Sequence, residues 1–170
     1  MADVFTREER SRVMSLIRGR GNKSTEKAFV SMMKGASITG WRRHVSLKIE
    51  PQYNERSGNN DLRKPSVSTT VRPDFIFRNL KVAVFLDGCF WHRCPIHFRS
   101  PSNNAEFWKK KIDANVMRDR RVDLALRAKG WRVLRFWEHE LLAPMRVVRK
   151  LNCLLAISLP VGDCRAGRKE

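Results

Sequence analysis

Cys89, Cys94 and His97 stand in a C-x4-C-x2-H spacing, and Asp74 and Asp87 bracket two short apolar runs just before it. Thiolate and imidazole donors at this separation suit zinc, which in structural sites takes four tetrahedral nitrogen or sulfur ligands. The fourth donor has five candidates on the sequence: His44, His92, His139, Cys153 and Cys164. His139 stands just past an expected strand end, where it can reach a neighbouring strand. The two aspartates ask for different chemistry, because carboxylates suit hard cations such as magnesium. Two acids converging on a cation, with an imidazole nearby, fit hydrolysis of a phosphodiester. His92, with an ordinary pKa near ~6.5, is the candidate base. Taken singly, the cysteines read as core thiols and Pro73-Asp74 as a turn. Their coincidence within 25 residues is what points to metals and catalysis.

These residues need elements to hold them. Asp74–Phe77 and Lys81–Asp87 read as a hairpin turning at Arg78-Asn79-Leu80, which brings both acids to one open end. Ser24 or Thr25 is expected to cap a helix whose apolar stripe is Ala28, Phe29, Met32 and Met33; Glu26 lies in its first turn. Trp41–Ile49 reads as a strand, alternating from His44 onward. Residues 50–71 are polar and read as a surface loop, unusually long for a compact domain. Asn104–Lys129 reads as a long helix closed by Gly130, and its apolar face holds Asn115 and Asp119, which need partners if buried. Trp131–Trp137 reads as a strand and Pro144–Ile157 as a final helix, with a polar tail over 160–170. The expectation is a mixed α/β domain of three layers.

Lys and Arg number 35 against 17 Asp and Glu, a net charge of +18 over 170 residues. That excess marks a polyanionic partner, with nucleic acid first. No run of 18 apolar residues is present to span a membrane, and the opening residues have no secretory apolar core. Four cysteines, two of them beside histidines, favour metal binding in a reducing cytoplasm over disulfides. Residues 1–23 read as a basic DNA-contacting arm carrying Arg10, Arg12, Arg18 and Arg20. Phe90, Trp91 and Trp108 are large aromatics near the candidate site, of the kind that wedge between base steps.

The motifs Arg10-Ser11-x-x-Met14-Ser15, Arg72-Pro73-Asp74-Phe75 and Phe85-Leu86-Asp87-Gly88-Cys89-Phe90-Trp91-His92-x-Cys94-Pro95 together resemble the very short patch repair (Vsr) DNA mismatch endonucleases. Phe107-Trp108-x-x-Lys111-Ile112-x-x-Asn115 and Gly130-Trp131-x-Val133-Leu134-x-x-Trp137-Glu138-His139 continue the match in order, over roughly residues 7–142. The resemblance implies a restriction-endonuclease-like fold of the PD-(D/E)xK superfamily: a central mixed sheet flanked by helices, with a structural zinc. It implies nicking of double-stranded DNA beside a T:G mismatch, using catalytic magnesium. By position, Asp74 and the Leu86 carbonyl become magnesium ligands, His92 the catalytic histidine, and Glu26 a holder of the metal's water network. Cys89, Cys94, His97 and His139 become the zinc set, and Phe90, Trp91 and Trp108 the intercalating aromatics. The superfamily's lysine has no counterpart after Asp87. Asp87 itself stands where some members carry histidine, so ligand, proton carrier and bystander all stay open for it.

The expected organisation is an arm over 1–23, an endonuclease domain over 24–145 with 50–71 inserted, and a C-terminal helix and tail over 146–170. The protein is expected to act as a monomer in the cytoplasm, at the nucleoid, with mismatch-repair proteins as further partners. Two other readings compete: a defence or restriction nuclease of the same fold, and a catalytically silent zinc-stabilised nucleic-acid-binding module.

Overall fold

The computed structural model describes Glu8, Glu9, Arg12 and residues 23–49 and 69–156. Most of the basic arm, the greater part of the 50–71 loop and the tail beyond 156 lie outside the described residues. So do Arg10, Arg18 and Arg20; Arg12 is described and exposed.

Six strands and three helices are described. Strands β1 (Trp41–Arg43), β4 (Phe75–Phe77), β5 (Val82–Asp87) and β6 (Arg132–Trp137) form one sheet in the order β1-β4-β5-β6. The first two pairings are antiparallel and β5–β6 is parallel, so the sheet is mixed. A parallel neighbour needs a long crossover, and helix α2 (Ala105–Ala128) supplies it. Phe77 pairs with Val82, which centres the hairpin turn between Asn79 and Leu80 as the spacing predicts.

The two faces of β5 separate by alternation. Val82 and Val84 join Phe75, Phe77, Leu134 and Phe136 against helix α1 (Ala28–Gly35), through Phe29 and Met33, and helix α3 (Pro144–Ala156), through Val147 and Leu151. Ala83 and Phe85 turn the other way, toward Leu126 of α2 and toward Ile49 and Val71. The result is an α/β fold with the mixed sheet between two helical layers.

Three local expectations are corrected. Trp41–Ile49 is two strands rather than one: His44 takes a left-handed backbone (φ +51°), uncommon for a residue with a side chain, and the chain leaves the main sheet. Strand β2 (Leu47–Ile49) pairs instead with β3 (Thr69–Val71), so the last residues of the expected loop form a strand. Thr25 does not cap α1. It is buried inside a π-helical turn, Lys23–Lys27, that runs directly into the helix. The long helix, by contrast, lies within one residue of its expected ends, with Gly130 at φ +77° after it.

Candidate active site and metal centres

At its carboxyl end, β5 delivers Leu86 and Asp87 beside the start of β4. Asp74 turns back onto β5, and its Oδ2 accepts the Leu86 N–H at 2.8 Å. The His44 N–H donates to the Asp74 carbonyl at 3.1 Å, which ties the β1–β2 break to the same spot. His44 Nε2 in turn lies 3.0 Å from Glu26 Oε2, and Arg43 also pairs with that carboxylate. Glu26 is 4% exposed, held in the π turn that leads into α1. One donor atom from each of Glu26, His44 and Asp74 falls within 4.8 Å of the others, a group able to hold a metal ion. Burial pushes the Asp74 carboxyl above its ordinary range; the Leu86 N–H opposes this, and the neighbouring Glu26 and Asp87 charges add to it. A site that disfavours its own negative charge is one that a cation stabilises.

Around His92 a second set closes. Asp87 is 5% exposed, and both its oxygens accept from Arg135 Nη1, at 2.7 and 2.9 Å. Burial nevertheless raises the Asp87 pKa, with Arg135 and His92 pulling against it. His92 Nδ1 meets Asp119 Oδ2 of α2 at 2.5 Å and stands 3.7 Å from Asp87 Oδ1, beyond hydrogen-bond reach. For Asp119 burial raises the pKa, but the bond to His92 and the nearby positive charges outweigh it and the net shift is downward. The polar pair on the α2 face thus finds its partners: Asp119 on His92, and Asn115, whose Nδ2 donates to the Trp91 carbonyl at 3.1 Å. Both hold the 88–93 turn against the helix.

Cys89, Cys94, His97 and His139 form the other metal-competent group among the described residues. His139 Nδ1 lies 3.2 Å from Cys89 Sγ and 3.6 Å from Cys94 Sγ; His97 Nδ1 lies 3.8 Å from Cys94 Sγ. Tetrahedral zinc with ordinary bond lengths puts its donors about 3.3–3.8 Å apart, so this set fits. Burial raises the Cys89 thiol pKa, the bond from His139 notwithstanding. Three donors sit on one short turn, and His139 arrives from the 3-10 turn Glu138–Leu142 that follows β6.

Phe90, Trp91 and Trp108 pack edge to face, with ring centroids 5.2–5.9 Å apart. Trp108 is buried, and Phe107 beside it is 61% exposed. The aromatics therefore support one another as a block next to His92.

The structure brings Asp74, Asp87 and His92 to one strand mouth and gathers Cys89, Cys94, His97 and His139, the residues that the sequence reading singled out. That reading missed Arg43 and Arg135, and it missed His44 as a neighbour of Glu26. Arg135 carried one signal: a charge in mid-strand, on the same alternating face as Val133, in the run Trp131-Arg-Val-Leu-Arg-Phe-Trp.

The family described as DNA mismatch endonuclease Vsr matches residues 59–96. The DNA mismatch endonuclease Vsr of Escherichia coli (strain K12) is 33% identical over 139 residues, covering 81% of this chain and 74% of that protein. The type II nicking enzyme V.NaeI of Lentzea aerocolonigenes is 57% identical over 70 residues, which span 41% of this chain and 42% of the enzyme. The type II nicking enzyme V.NmeAIP of Neisseria meningitidis is 29% identical over 157 residues, covering 91% of this chain and 95% of that enzyme.

Proposed function

Because the chain belongs to the Vsr family of DNA mismatch endonucleases, we propose that it nicks double-stranded DNA beside a T:G mismatch, with magnesium, as the incision step of very short patch repair. The observation that carries this reading is the His92–Asp119 pair standing beside Asp74 and Asp87 at one strand mouth. The relatives' printed names, mismatch endonuclease and nicking enzyme, point the same way.

Asp74 and the Leu86 carbonyl would hold magnesium, with Glu26 accepting from its water shell; the oxygen donors and the raised Asp74 pKa suit such an ion. When bound, magnesium supplies polarisation of the phosphodiester and a more acidic water. His92 then acts through its outer nitrogen. With Nδ1–H donated to Asp119, Nε2 is left unprotonated and able to take a proton from the attacking water. Asp119 steadies the imidazolium that results. Cys89, Cys94, His97 and His139 would hold zinc, which fixes the turn bearing Phe90, Trp91 and His92 between β5 and the start of α2.

Phe90 and Trp91, backed by the buried Trp108, are read as the wedge that opens the base stack beside the mismatch. The basic arm 1–23, with Arg10, Arg12, Arg18 and Arg20, supplies phosphate contacts. The catalytic unit is 24–145 in a restriction-endonuclease-like fold, with 146–170 as a C-terminal helix and tail. The protein works as a monomer at the nucleoid in the cytoplasm, alongside mismatch-repair proteins. No helix among the described residues is long and apolar enough to cross a membrane.

The test is a nicking assay on end-labelled duplexes carrying T:G or T:A at one position, with and without magnesium. Nicks confined to the thymine strand of the T:G duplex, in magnesium alone, are expected. Equal cutting of both duplexes would make the protein a nuclease of fully paired DNA, and binding without cutting a silent module.

A further inference from the structure

Arg135 lies on β6 opposite Phe85 in the parallel ladder, with its side chain 21% exposed. A guanidinium offers five N–H donors in one rigid plane, and carboxylates surround this one. Nη1 reaches both oxygens of Asp87, Nε donates to Asp123 at 3.0 and 3.3 Å, and Nη2 stands 3.4 Å from Asp119 Oδ1. The Phe85 ring backs it, 4.5 Å from Cζ. The other oxygen of Asp119, Oδ2, is the one that meets His92 Nδ1. One carboxylate therefore bridges the imidazole and the guanidinium.

We propose that Arg135, anchored by Asp87, is a positioning residue that aims Asp119 at His92 and so selects the imidazole tautomer the reaction uses. This rests on His92 being the base. Three aspartates, Asp87, Asp119 and Asp123, share the space around Arg135; without its charge they repel one another. Asp119 also has an alternative partner, the exposed Arg118, whose Nη2 lies 3.9 Å from Oδ1. Removing Arg135 lets Asp119 swing toward Arg118 and away from His92. The neutral imidazole then loses the acceptor that keeps its proton on Nδ1, and Nε2 takes the proton instead. Asp87 gets a defined role in this arrangement. With both oxygens committed to Nη1, and His92 beyond bonding distance, it fixes the guanidinium and neither binds the metal nor carries the proton. A lysine cannot replace Arg135, because a single ammonium cannot face three carboxylates in one plane.

The experiment is a long-range proton–nitrogen NMR spectrum of the full chain labelled with nitrogen-15 in its four histidines, His92→Ala assigning the signal. It is combined with single-turnover nicking of the T:G duplex at saturating enzyme and with DNA affinity. Wild type is expected to hold the Nδ1–H form at His92. Arg135→Gln is expected to shift His92 toward Nε2–H and to slow nicking about 10–100-fold, as loss of an orienting partner commonly does, with DNA affinity unchanged. Asp87→Asn is expected to move the same signal in the same direction. A wild-type Nε2–H tautomer, or an Arg135→Gln protein with wild-type tautomer and wild-type rate, would overturn the proposal. If Arg135→Gln does not fold, Arg135→Lys takes both readouts, and wild-type values there overturn it equally. Should the wild type nick no duplex, the functional reading falls, while the imidazole signal still decides what Arg135 does.

Discussion

The Cys–His cluster and the carboxylate–imidazole centre adjoin along β5, yet they are assembled in opposite ways. Three donors of the first, Cys89, Cys94 and His97, come from one stretch of nine residues, and a single distant residue, His139, completes it. The second gathers Glu26, His44, Asp74, Asp87, His92, Asp119 and Arg135 from both ends of the described chain. With zinc bound, the first would be a cross-link that sets the shape of a turn; the second is a balance of buried charges. Stability should therefore reside mostly in the first, and catalysis in the second.

Crossing the two sets of variants gives the largest expected effect. His92→Ala should slow nicking on the order of 10²–10⁴-fold, the usual contribution of a general base, and Asp74→Asn, which would remove a magnesium ligand, should slow it comparably. Neither should lower the melting temperature appreciably. In Asp74→Asn the amide oxygen can still accept the Leu86 N–H, and the substitution removes a charge that burial disfavours. Cys94→Ser should do the reverse to stability. Cys94 is 1% exposed, and losing a structural zinc ligand should cost about 3 kcal/mol, or about 6–12 °C of melting temperature at this chain length. Equal melting losses for Asp74→Asn and Cys94→Ser would break the division.

The same contrast explains what could be read from residue types alone. The hairpin, α2 and β6 were legible because period-2 and helical patterns are local, and turn residues bound them. Most of the Cys–His set was legible because its spacing is local too. The π turn at Lys23–Lys27 was not, since Ser24 or Thr25 followed by Glu26 reads equally well as an N-cap with an acid in the first turn. Nor was the split at His44, where a left-handed backbone breaks a run that alternates well enough to pass for one strand. Arg135 stayed hidden for a third reason: its partners come from β5 and α2, and long-range pairing leaves no spacing to read. Asn115 and Asp119 were half visible, as polar residues on an apolar face whose partners only the fold supplies.

Proton competition sharpens the comparison at an intermediate scale. Asp74 and Asp87 have raised pKa values, so between the ordinary carboxylate range and those values the folded chain binds more protons than the unfolded one. Metal-free stability from these two groups should fall as pH rises through that window. Asp119 has the opposite sign: its stabilisation is present above the ordinary range and is lost as pH falls through its lowered pKa. If Asp74 holds magnesium as proposed, the ion must displace any proton there, so its affinity should drop by up to roughly tenfold per pH unit below that raised pKa. Titration calorimetry at several pH values measures this, and a flat profile across the window would remove Asp74 from the metal site.

The smallest expected effect comes from Gly88, the single residue between Asp87 of one centre and Cys89 of the other. A Cβ added there would meet Trp91 Cδ1 at 3.3 Å and Glu138 Oε2 at 4.0 Å. The first contact is tight, and the indole must yield by a few tenths of an ångström; the second is ordinary. Trp91 moves with the turn that carries His92, whereas the contact beside the His139 donor, at Glu138, is the ordinary one. Gly88→Ala should therefore slow nicking severalfold through a displaced Trp91–His92 turn, at a stability cost of about 1 kcal/mol, within the range for mild overpacking. Metal analysis of the purified variant should return an unchanged amount of zinc. A variant that nicks normally but loses its zinc would mean that strain at residue 88 runs into the cross-link rather than the reaction centre, and that the two regions are one mechanical unit.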